Sequence, residues 1–136
     1  MTASEQELVA HARSARAFAV APFSGFSVGA ALQTKAGRIY TGCNVENASY
    51  GLTMCAERVA LLKALSEGER DFVAIAVAAD ASVPTPPCGA CRQLLWEFCG
   101  DIPVVLANLT SVTGRHHLKD LLPLPFDSDV LRQAGR

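Results

Sequence analysis

The sequence contains no apolar run of the roughly 18 residues that a membrane-spanning helix needs. Its first residues, MTASEQELVAHARSARAF, mix both charges and lack the apolar core of a secretory signal. Lysine and arginine form no block, and the formal net charge is only −1, so nothing indicates binding to nucleic-acid phosphates. We therefore expect a cytoplasmic protein that binds neither membranes nor nucleic acid.

Cysteine is also scarce, with five residues in the chain, an odd number. Without an export signal, disulfides are not expected, and metal ligation or thiolate catalysis becomes the better explanation of these residues. Half of the residues are hydrophobic and 18% are charged, which is typical of a globular protein and not of a disordered one. The length predicts one domain over residues 1–136.

Hydrophobic periodicity and turn residues divide the chain into alternating helices and strands. The predicted order is helix 4–20, strand 27–34, strand 38–46, helix 54–66, strand 72–79, helix 88–99, strand 102–109, a strand near 115–119 and a short last helix. This order predicts an α/β fold, a three-layer α/β/α sandwich around a mixed five-stranded sheet. The last two strands should be antiparallel, because only a few residues join them.

Two cysteine motifs, CAE at 55–57 and PCGAC at 87–91, stand where helices are predicted to begin. The N-terminus of a helix carries free N–H groups and a partial positive charge, which favour the thiolate form of a cysteine. Cys55, Cys88 and Cys91 could therefore hold a tetrahedral Zn²⁺ with one corner left open, which is the arrangement of catalytic zinc sites.

Each motif is weak when it is taken alone. Buried cysteines are common in protein cores, and a single C-x-x-C also occurs in redox pairs. A redox pair, however, leaves Cys55 and Glu57 unexplained. A purely structural zinc site would need a fourth ligand, for which Cys43 is the one remote candidate. The two motifs together favour a catalytic metal site.

Four segments carry a resemblance to a known family: FSGFSVGAAL, GCNVENASYGLTMCAERVA, PCGACRQLLWEF and LLPLPF. They resemble the zinc-dependent cytidine deaminases, and most of all the small homotetrameric type with three cysteine ligands. The resemblance implies hydrolytic deamination of cytidine and deoxycytidine to uridine and deoxyuridine plus ammonia, in pyrimidine salvage. It also implies one Zn²⁺ per subunit.

The resemblance assigns roles to the two residues that follow the first cysteine motif. Glu57 lies two residues after Cys55, so both can reach one site, and the implied role of Glu57 is a catalytic proton shuttle. Three thiolates make a zinc centre negative and hence a weak Lewis acid. Arg58 is implied to donate hydrogen bonds to the thiolates and so to restore the electrophilicity of the metal.

The segment CNVENASY supplies the predicted sugar contacts. In an extended segment Asn44 and Glu46 point to the same side, and the resemblance places both on the ribose. A carboxylate at this position would repel a 5′-phosphate, which favours a nucleoside as substrate over a nucleotide.

Other contacts follow from the resemblance alone. Phe26 is implied to pack against the base, and the backbone of Ala56 to contact the base edge. Tyr50 and Phe126 resemble residues that reach the pocket of a neighbouring subunit, so that active sites would be completed within a homotetramer.

A related family, the blasticidin-S deaminases, shares the cysteines and the glutamate and is an alternative. The NVEN segment favours a substrate that contains ribose. For Cys43 and Cys99 we expect burial in the core. His116 and His117 fall in a predicted edge strand, far along the chain from the cysteine motifs.

Overall fold

Five strands and five α-helices form the regular structure of residues 3–133, the part of the chain that the computed structural model describes. In chain order they are α1 (Ala3–Ala15), β1 (Val28–Thr34), β2 (Ile39–Cys43), α2 (Ala56–Ser66), β3 (Phe72–Ala79), α3 (Gly89–Cys99), β4 (Pro103–Ala107), β5 (Val112–His117), α4 (Leu118–Leu121) and α5 (Ser128–Gln133). Single 3-10 turns occupy residues 16–18 and 50–52. None of the helices in this described part is long and apolar enough to cross a membrane.

The strands form one mixed sheet in the order β2-β1-β3-β4-β5. β3 and β4 are parallel, because α3 provides the crossover between them, and the remaining neighbours are antiparallel. β4 and β5 pair from Pro103 opposite His117 to Ala107 opposite Val112. The predicted mixed sheet with an antiparallel last pair is confirmed.

Helices cover both faces of the sheet. On one face, Leu8, Val9 and Ala12 of α1 pack against small side chains of the central strands, such as Ala31 and Ala76. On the other face, α2 and α3 bury a larger apolar cluster that includes Leu32, Leu61, Ile75, Leu95 and Val104. The predicted three-layer sandwich is thus confirmed.

Two glycines let the helices approach the sheet closely. A Cβ at Gly29 would lie 1.9 Å from the carbonyl oxygen of Ala12 in α1. A Cβ at Gly42 would lie 2.4 Å from the carbonyl oxygen of Ala56 and 2.5 Å from the amide nitrogen of Ala60. Because real Cβ atoms do not tolerate such distances, Gly42 fixes where the first turn of α2 lies on β2.

Several predicted boundaries are wrong. β2 ends at Cys43 and not at residue 46. The backbone carbonyl of Asn44 leaves the ladder with β1 and accepts from the Val20 amide at 2.9 Å, and the Asn44 side chain takes its place as acceptor. Its Oδ1 accepts from the Val28 amide at 2.9 Å, and its Nδ2 donates to the Phe26 carbonyl at 2.7 Å. α1 ends at Ala15 and passes into a 3-10 turn, where Arg16 Nε donates to the Ser27 carbonyl at 3.1 Å.

The C-terminal part differs most from the prediction. β5 ends at His117, because the next residue, Leu118, is fully buried and begins α4. α5 is not among the predicted elements. It begins after Asp127, whose Oδ1 accepts hydrogen bonds from the Asp129 and Val130 amides in the manner of an N-cap.

Candidate active site

The N-termini of α2 and α3 bring the two cysteine motifs together on one face of the sheet. Cys55 is the residue before α2, Cys88 is the residue before α3, and Cys91 lies in the first turn of α3. Neither Cys55 nor Cys88 uses its side chain to cap its own helix. Their sulfurs are therefore available to a ligand.

The three sulfurs are spaced as a metal would require. The Sγ atoms of Cys55 and Cys88 are 3.7 Å apart, and all three Sγ atoms lie within 4.8 Å of one another. Tetrahedral Zn²⁺ with Zn–S bonds of about 2.3 Å places its sulfurs about 3.8 Å apart. Within residues 3–133, no fourth His, Cys, Asp or Glu belongs to this group. The three thiols fit a catalytic zinc site, which keeps one position open. A structural zinc site would lack its fourth ligand here.

The thiols of Cys55 and Cys91 differ in acidity. A hydrogen bond from Cys91, a further one from Cys88 and the charge of Arg58 lower the pKa of Cys55 to about 6, against the opposing effect of burial. The pKa of Cys91 is raised, first by its bond to Cys55 and then by burial. The Cys55 thiol therefore ionises before that of Cys91.

Glu57 is a buried carboxyl group beside these sulfurs. Its side chain is only 4% exposed, and it lines the cavity described below. Burial raises its pKa to about 7, the negative charge of Cys55 adds to the shift, and Arg58 opposes it. A carboxyl group in this state can take up and release a proton near neutral pH. Its role as the proton shuttle stays a prediction.

Arg58 contacts the site from the same turn of α2. Its Nη1 donates to Met54 Sδ at 3.9 Å, and its Nε is buried with no hydrogen-bond partner among the described residues. The expected hydrogen bond to a thiolate is therefore not formed here, although the charge of Arg58 does lower the pKa of Cys55. An unpartnered donor so close to the thiols leaves the predicted role open.

A cavity of about 220 Å³ lies in front of Cys55, Cys88 and Glu57. The other residues that line it are Phe26, Val28, Asn44, Thr53, Met54, Ala56, Val77, Thr85 and Pro86. Its volume is below the roughly 300–1,000 Å³ of pockets for drug-sized ligands, which suits a small ring. Three of the predicted substrate contacts, Phe26, Asn44 and Ala56, thus share one cavity with the metal site.

Glu46 and Tyr50 line a second cavity of about 360 Å³, which meets the first at Thr53. The carboxylate of Glu46 accepts hydrogen bonds from the Phe23 and Ser24 amides at 2.9 and 3.0 Å, and another from the Ser24 hydroxyl. These bonds lower the pKa of Glu46, that from the Ser24 hydroxyl most. Glu46 therefore holds the turn at residues 23–24, a function that the sequence did not indicate.

The two residues predicted to reach a neighbouring subunit are exposed. The ring of Tyr50 is 75% exposed and contacts the edge of Phe23, with ring centres 6.0 Å apart. Phe126 is 61% exposed and lines neither cavity, and its carbonyl accepts a hydrogen bond from Gln93 of α3. The structure does not bring Phe126 to the pocket of its own chain.

The sequence reading missed several residues of the pocket. Thr53, Met54, Thr85 and Pro86 contribute to its wall. Each lies within four residues of Cys55 or Cys88 in the sequence. That proximity was the available signal, since the residues beside a ligand line the space in front of it.

The remaining cysteines and histidines lie outside the metal group. Cys43 ends β2 and Cys99 ends α3, and both are only partly buried, so the expected burial in the core is wrong for both. At Cys99 this partial burial still raises the pKa to about 12 and so keeps the thiol protonated. His116 and His117 are on β5, which is an edge strand as expected. His117 Nδ1 lies 3.8 Å from a carboxylate oxygen of Asp101.

A three-layer α/β sandwich with three thiols and one buried carboxyl group at the mouth of a cavity defines the class of zinc-dependent hydrolytic enzymes. Comparison with known proteins identifies the family within this class. Residues 2–107 match the family model described as "Cytidine and deoxycytidylate deaminase zinc-binding region". The chain belongs to this family, as its sequence motifs suggested.

Individual relatives agree with this assignment. The chain is 53% identical over 125 residues to a cytidine deaminase of Halalkalibacterium halodurans, covering 91% of this chain and 95% of the relative. It is 48% identical over 131 residues to a cytidine deaminase of Sporosarcina psychrophila, covering 96% of each. A crystal structure of cytidine deaminase from Burkholderia pseudomallei superimposes with a TM-score of 0.87 at 48% identity, over 93% of this chain and 100% of that one.

A relative with a different substrate in its name is more distant. The chain is 32% identical over 107 residues to a blasticidin-S deaminase of Bacillus cereus, covering 73% of this chain and 76% of the relative.

Proposed function

We propose that the protein catalyses the hydrolytic deamination of cytidine and deoxycytidine, releasing uridine or deoxyuridine and ammonia. The observation that carries the proposal is the placement of Glu57 in one cavity wall with Cys55 and Cys88. Hydrolysis of an aminopyrimidine needs an activated water and a group that moves protons, and these residues provide for both. The similarity to cytidine deaminases supports the same reaction.

Cys55, Cys88 and Cys91 would hold one Zn²⁺ per subunit. When bound there, zinc supplies a Lewis acid that lowers the pKa of water from about 15.7 toward about 7. The rest of the chemistry falls to the side chains around the cavity.

Glu57 carries the protons of the reaction. Its carboxylate would accept a proton from the attacking water and deliver one to N3 of the pyrimidine as the water oxygen adds to C4. It would then transfer the second proton of that water to the leaving amino group, which departs as ammonia. Water and the aminopyrimidine are thereby converted to the oxo product with no other reactant. Glu57 is only 4% exposed, which limits the access of bulk solvent to its carboxyl group.

The cavity walls also favour a nucleoside over a nucleotide. Phe26 and the backbone of Ala56 border the space for the base. Asn44 lines the same cavity and Glu46 the adjoining one, and both would contact the ribose. No lysine or arginine is among the described residues that line either cavity. A 5′-phosphate would meet the carboxylate of Glu46 without a compensating cation.

We further propose a homotetramer, in which exposed Tyr50 and Phe126 reach the pocket of a neighbouring subunit. In one subunit Tyr50 is 75% and Phe126 61% exposed, so both rings are free to reach a partner. The corresponding biological role would be pyrimidine salvage in the cytoplasm. The five cysteines of the chain are all free thiols in the structure, which fits a reducing compartment.

Blasticidin S is the second candidate substrate, because a relative of that name is 32% identical. Asn44 and Glu46 argue against it. They are the two residues proposed to contact a ribose, and the identity to cytidine deaminases is higher.

Product analysis tests the proposal directly. Zinc-loaded wild-type protein is incubated with cytidine, deoxycytidine, deoxycytidine monophosphate and blasticidin S, and deaminated product and ammonia are quantified. We expect equal amounts of uridine and ammonia from cytidine, and none from Glu57→Gln. Glu67→Gln, a change at an exposed glutamate after the same helix, is the matched control and should remain active. A folded, zinc-loaded wild type that leaves cytidine unchanged would refute the proposal.

A further inference from the structure

Arg92 occupies a position that the proposed reaction does not explain. It lies in the first turns of α3, one residue after Cys91, and its guanidinium points back toward the start of the helix. Arg92 Nε donates to the carbonyl oxygen of Pro87 at 2.7 Å, and Nη1 donates to the carbonyl oxygen of Leu121 at 2.9 Å. One side chain therefore joins the residue before Cys88 to the end of α4.

The Pro87 carbonyl needs this donor. Pro87 is fully buried, whereas most of the loop at residues 80–90 is exposed. Its carbonyl lies outside the helix, because the first helical bond of α3 runs from the Arg92 amide to the Cys88 carbonyl. A buried carbonyl without a donor destabilises a fold by about 1–3 kcal/mol. The hydrogen bond from Arg92 thus anchors Pro87, the one buried residue of the loop at residues 80–90.

The position of Cys88 depends on the anchoring of Pro87 more than the positions of Cys55 and Cys91 do. Cys91 is buried within α3, and Cys55 is half-buried before α2, but Cys88 is exposed. Its place is set by the residue before it and by the start of α3. The Arg92 bond anchors Pro87 and so restrains the backbone that carries the exposed Cys88 sulfur, which lies 3.7 Å from that of Cys55.

The other end of the bridge is also rigid. Leu121 closes α4, whose first residue, Leu118, is fully buried. The backbone amide of Lys119 is held in addition by a carboxylate oxygen of Asp101 at 3.0 Å. α4 lies beyond residues 2–107, the part that matches the zinc-binding family model. The bridge therefore ties the metal loop to a segment outside that region.

We propose that Arg92 is a positioning residue for the metal site, which holds Cys88 in place through the carbonyl groups of Pro87 and Leu121. This inference rests on the proposed zinc site. Arg92 acts through hydrogen-bond geometry, in contrast with Arg58, whose charge lowers the pKa of the Cys55 thiol. Loss of the bridge should loosen the zinc without changing the binding of the nucleoside.

The test measures zinc release into an excess of a chromogenic chelator, without substrate, at a temperature well below the melting point of every variant. Arg92→Met removes both donors, and Arg92→Lys keeps the charge but not the planar two-armed guanidinium. Arg70→Met is the matched control, because Arg70 Nη1 also donates to two backbone carbonyls, those of Leu65 and Glu69, at the end of α2 away from the site.

We expect zinc release to be about 10-fold faster or more in Arg92→Met, as for other partners of metal ligands. Arg92→Lys should be closer to Arg92→Met than to wild type, and Arg70→Met should release zinc as wild type does. Excess zinc should restore the kcat of Arg92→Met, with KM for cytidine unchanged throughout. If Arg92→Met does not fold, the comparison of Arg92→Lys with Arg70→Met gives the same test.

Wild-type release rates in both Arg92 variants would overturn the inference. Full rescue by lysine would also overturn it, because the charge alone would then be sufficient. If Arg70→Met released zinc as fast as Arg92→Met, the cause would be a general loss of stability, and this result too would overturn the inference. The release assay needs no turnover, so an absence of deamination refutes the proposed function while leaving this inference testable.

Discussion

The sulfurs of Cys55 and Cys88 lie 3.7 Å apart, although 33 positions separate the two residues in the sequence. Each cysteine stands immediately before a helix, and both helices pack on the same face of the sheet. The metal site is therefore a product of the fold and not of a local motif. Binding of an ion there should stabilise the whole domain, because the unfolded chain cannot bring these sulfurs together.

Removal of zinc should lower the melting temperature of the wild-type protein. An ion present at 100 times its Kd adds about 2.7 kcal/mol to the free energy of unfolding, which raises the Tm by roughly 5 °C or more. Differential scanning fluorimetry with and without chelator measures this shift, and added zinc should reverse it. In Cys88→Ser the shift should disappear.

Cys99→Ala is the matched control for that experiment, since Cys99 is a partly buried thiol at the far end of α3. Its Tm should fall because of the lost packing, but its shift on chelation should equal that of wild type. A full chelation shift in Cys88→Ser would contradict the assignment of Cys88 as a ligand.

Arg58→Gln should reduce turnover more than zinc content. The guanidinium lies beside Met54 and has a buried Nε without a partner among the described residues, so it can turn to the thiolates when the metal is bound. We expect kcat to fall about 10-fold or more, with zinc content by atomic absorption near one ion per subunit. Arg58→Lys should recover part of the activity, because it keeps the charge.

Unchanged turnover in Arg58→Gln would reject the role of Arg58. A parallel loss of zinc and activity would instead make Arg58 a residue that retains the metal, as proposed above for Arg92.

The sequence predicted the metal group because each cysteine motif marks the start of a helix, even though only the fold brings the two motifs together. Cys55 and Cys88 each stand immediately before a helix, and Cys91 lies in the first turn of the second. The strands that precede these helices, β2 and β3, run in the same direction on either side of β1, so both helices begin at one edge of the sheet. The two buried strands were predicted from their continuous apolar runs, and β3 has the predicted bounds at Phe72–Ala79.

Long-range side-chain bonds to the backbone were not predictable in the same way. The Asn44 amide ends β2 by bonding Val28 and Phe26, which lie 16 and 18 positions away. Arg92 reaches a carbonyl 29 positions away. Nothing in the spacing of these residues indicates the partner, because the contact exists only after the sheet has formed.

Gly42→Ala should destabilise the protein by about 1–3 kcal/mol, the typical effect of overpacking. The new Cβ would lie 2.4 Å from the Ala56 carbonyl oxygen, so the first turn of α2 would have to move away from β2. Urea unfolding followed by circular dichroism measures the change. Gly51→Ala is the control, because a Cβ there meets no atom within 4 Å. Equal stability of Gly42→Ala and wild type would contradict the close approach of helix and strand.

The hydrogen bonds between Glu46 and the turn at residues 23–24 give Glu46 two possible roles in substrate binding. The carboxylate holds this turn through the amides of Phe23 and Ser24 and through the Ser24 hydroxyl, whose oxygen also accepts from the Phe26 amide at 3.0 Å. Glu46 could therefore act on the nucleoside directly, through its charge, or indirectly, through the position of Phe26.

Two variants distinguish these roles by their KM for cytidine. Glu46→Gln removes the charge, and we expect KM to rise about 10-fold or more, since a hydrogen bond to a charged group contributes about 1.5–3 kcal/mol. Ser24→Ala leaves the carboxylate but removes the link to Phe26, and KM should rise only a few-fold. In both variants kcat should stay close to wild type, because the contact binds substrate and transition state alike. An increase in Ser24→Ala as large as that in Glu46→Gln would mean that Glu46 acts only by holding the turn.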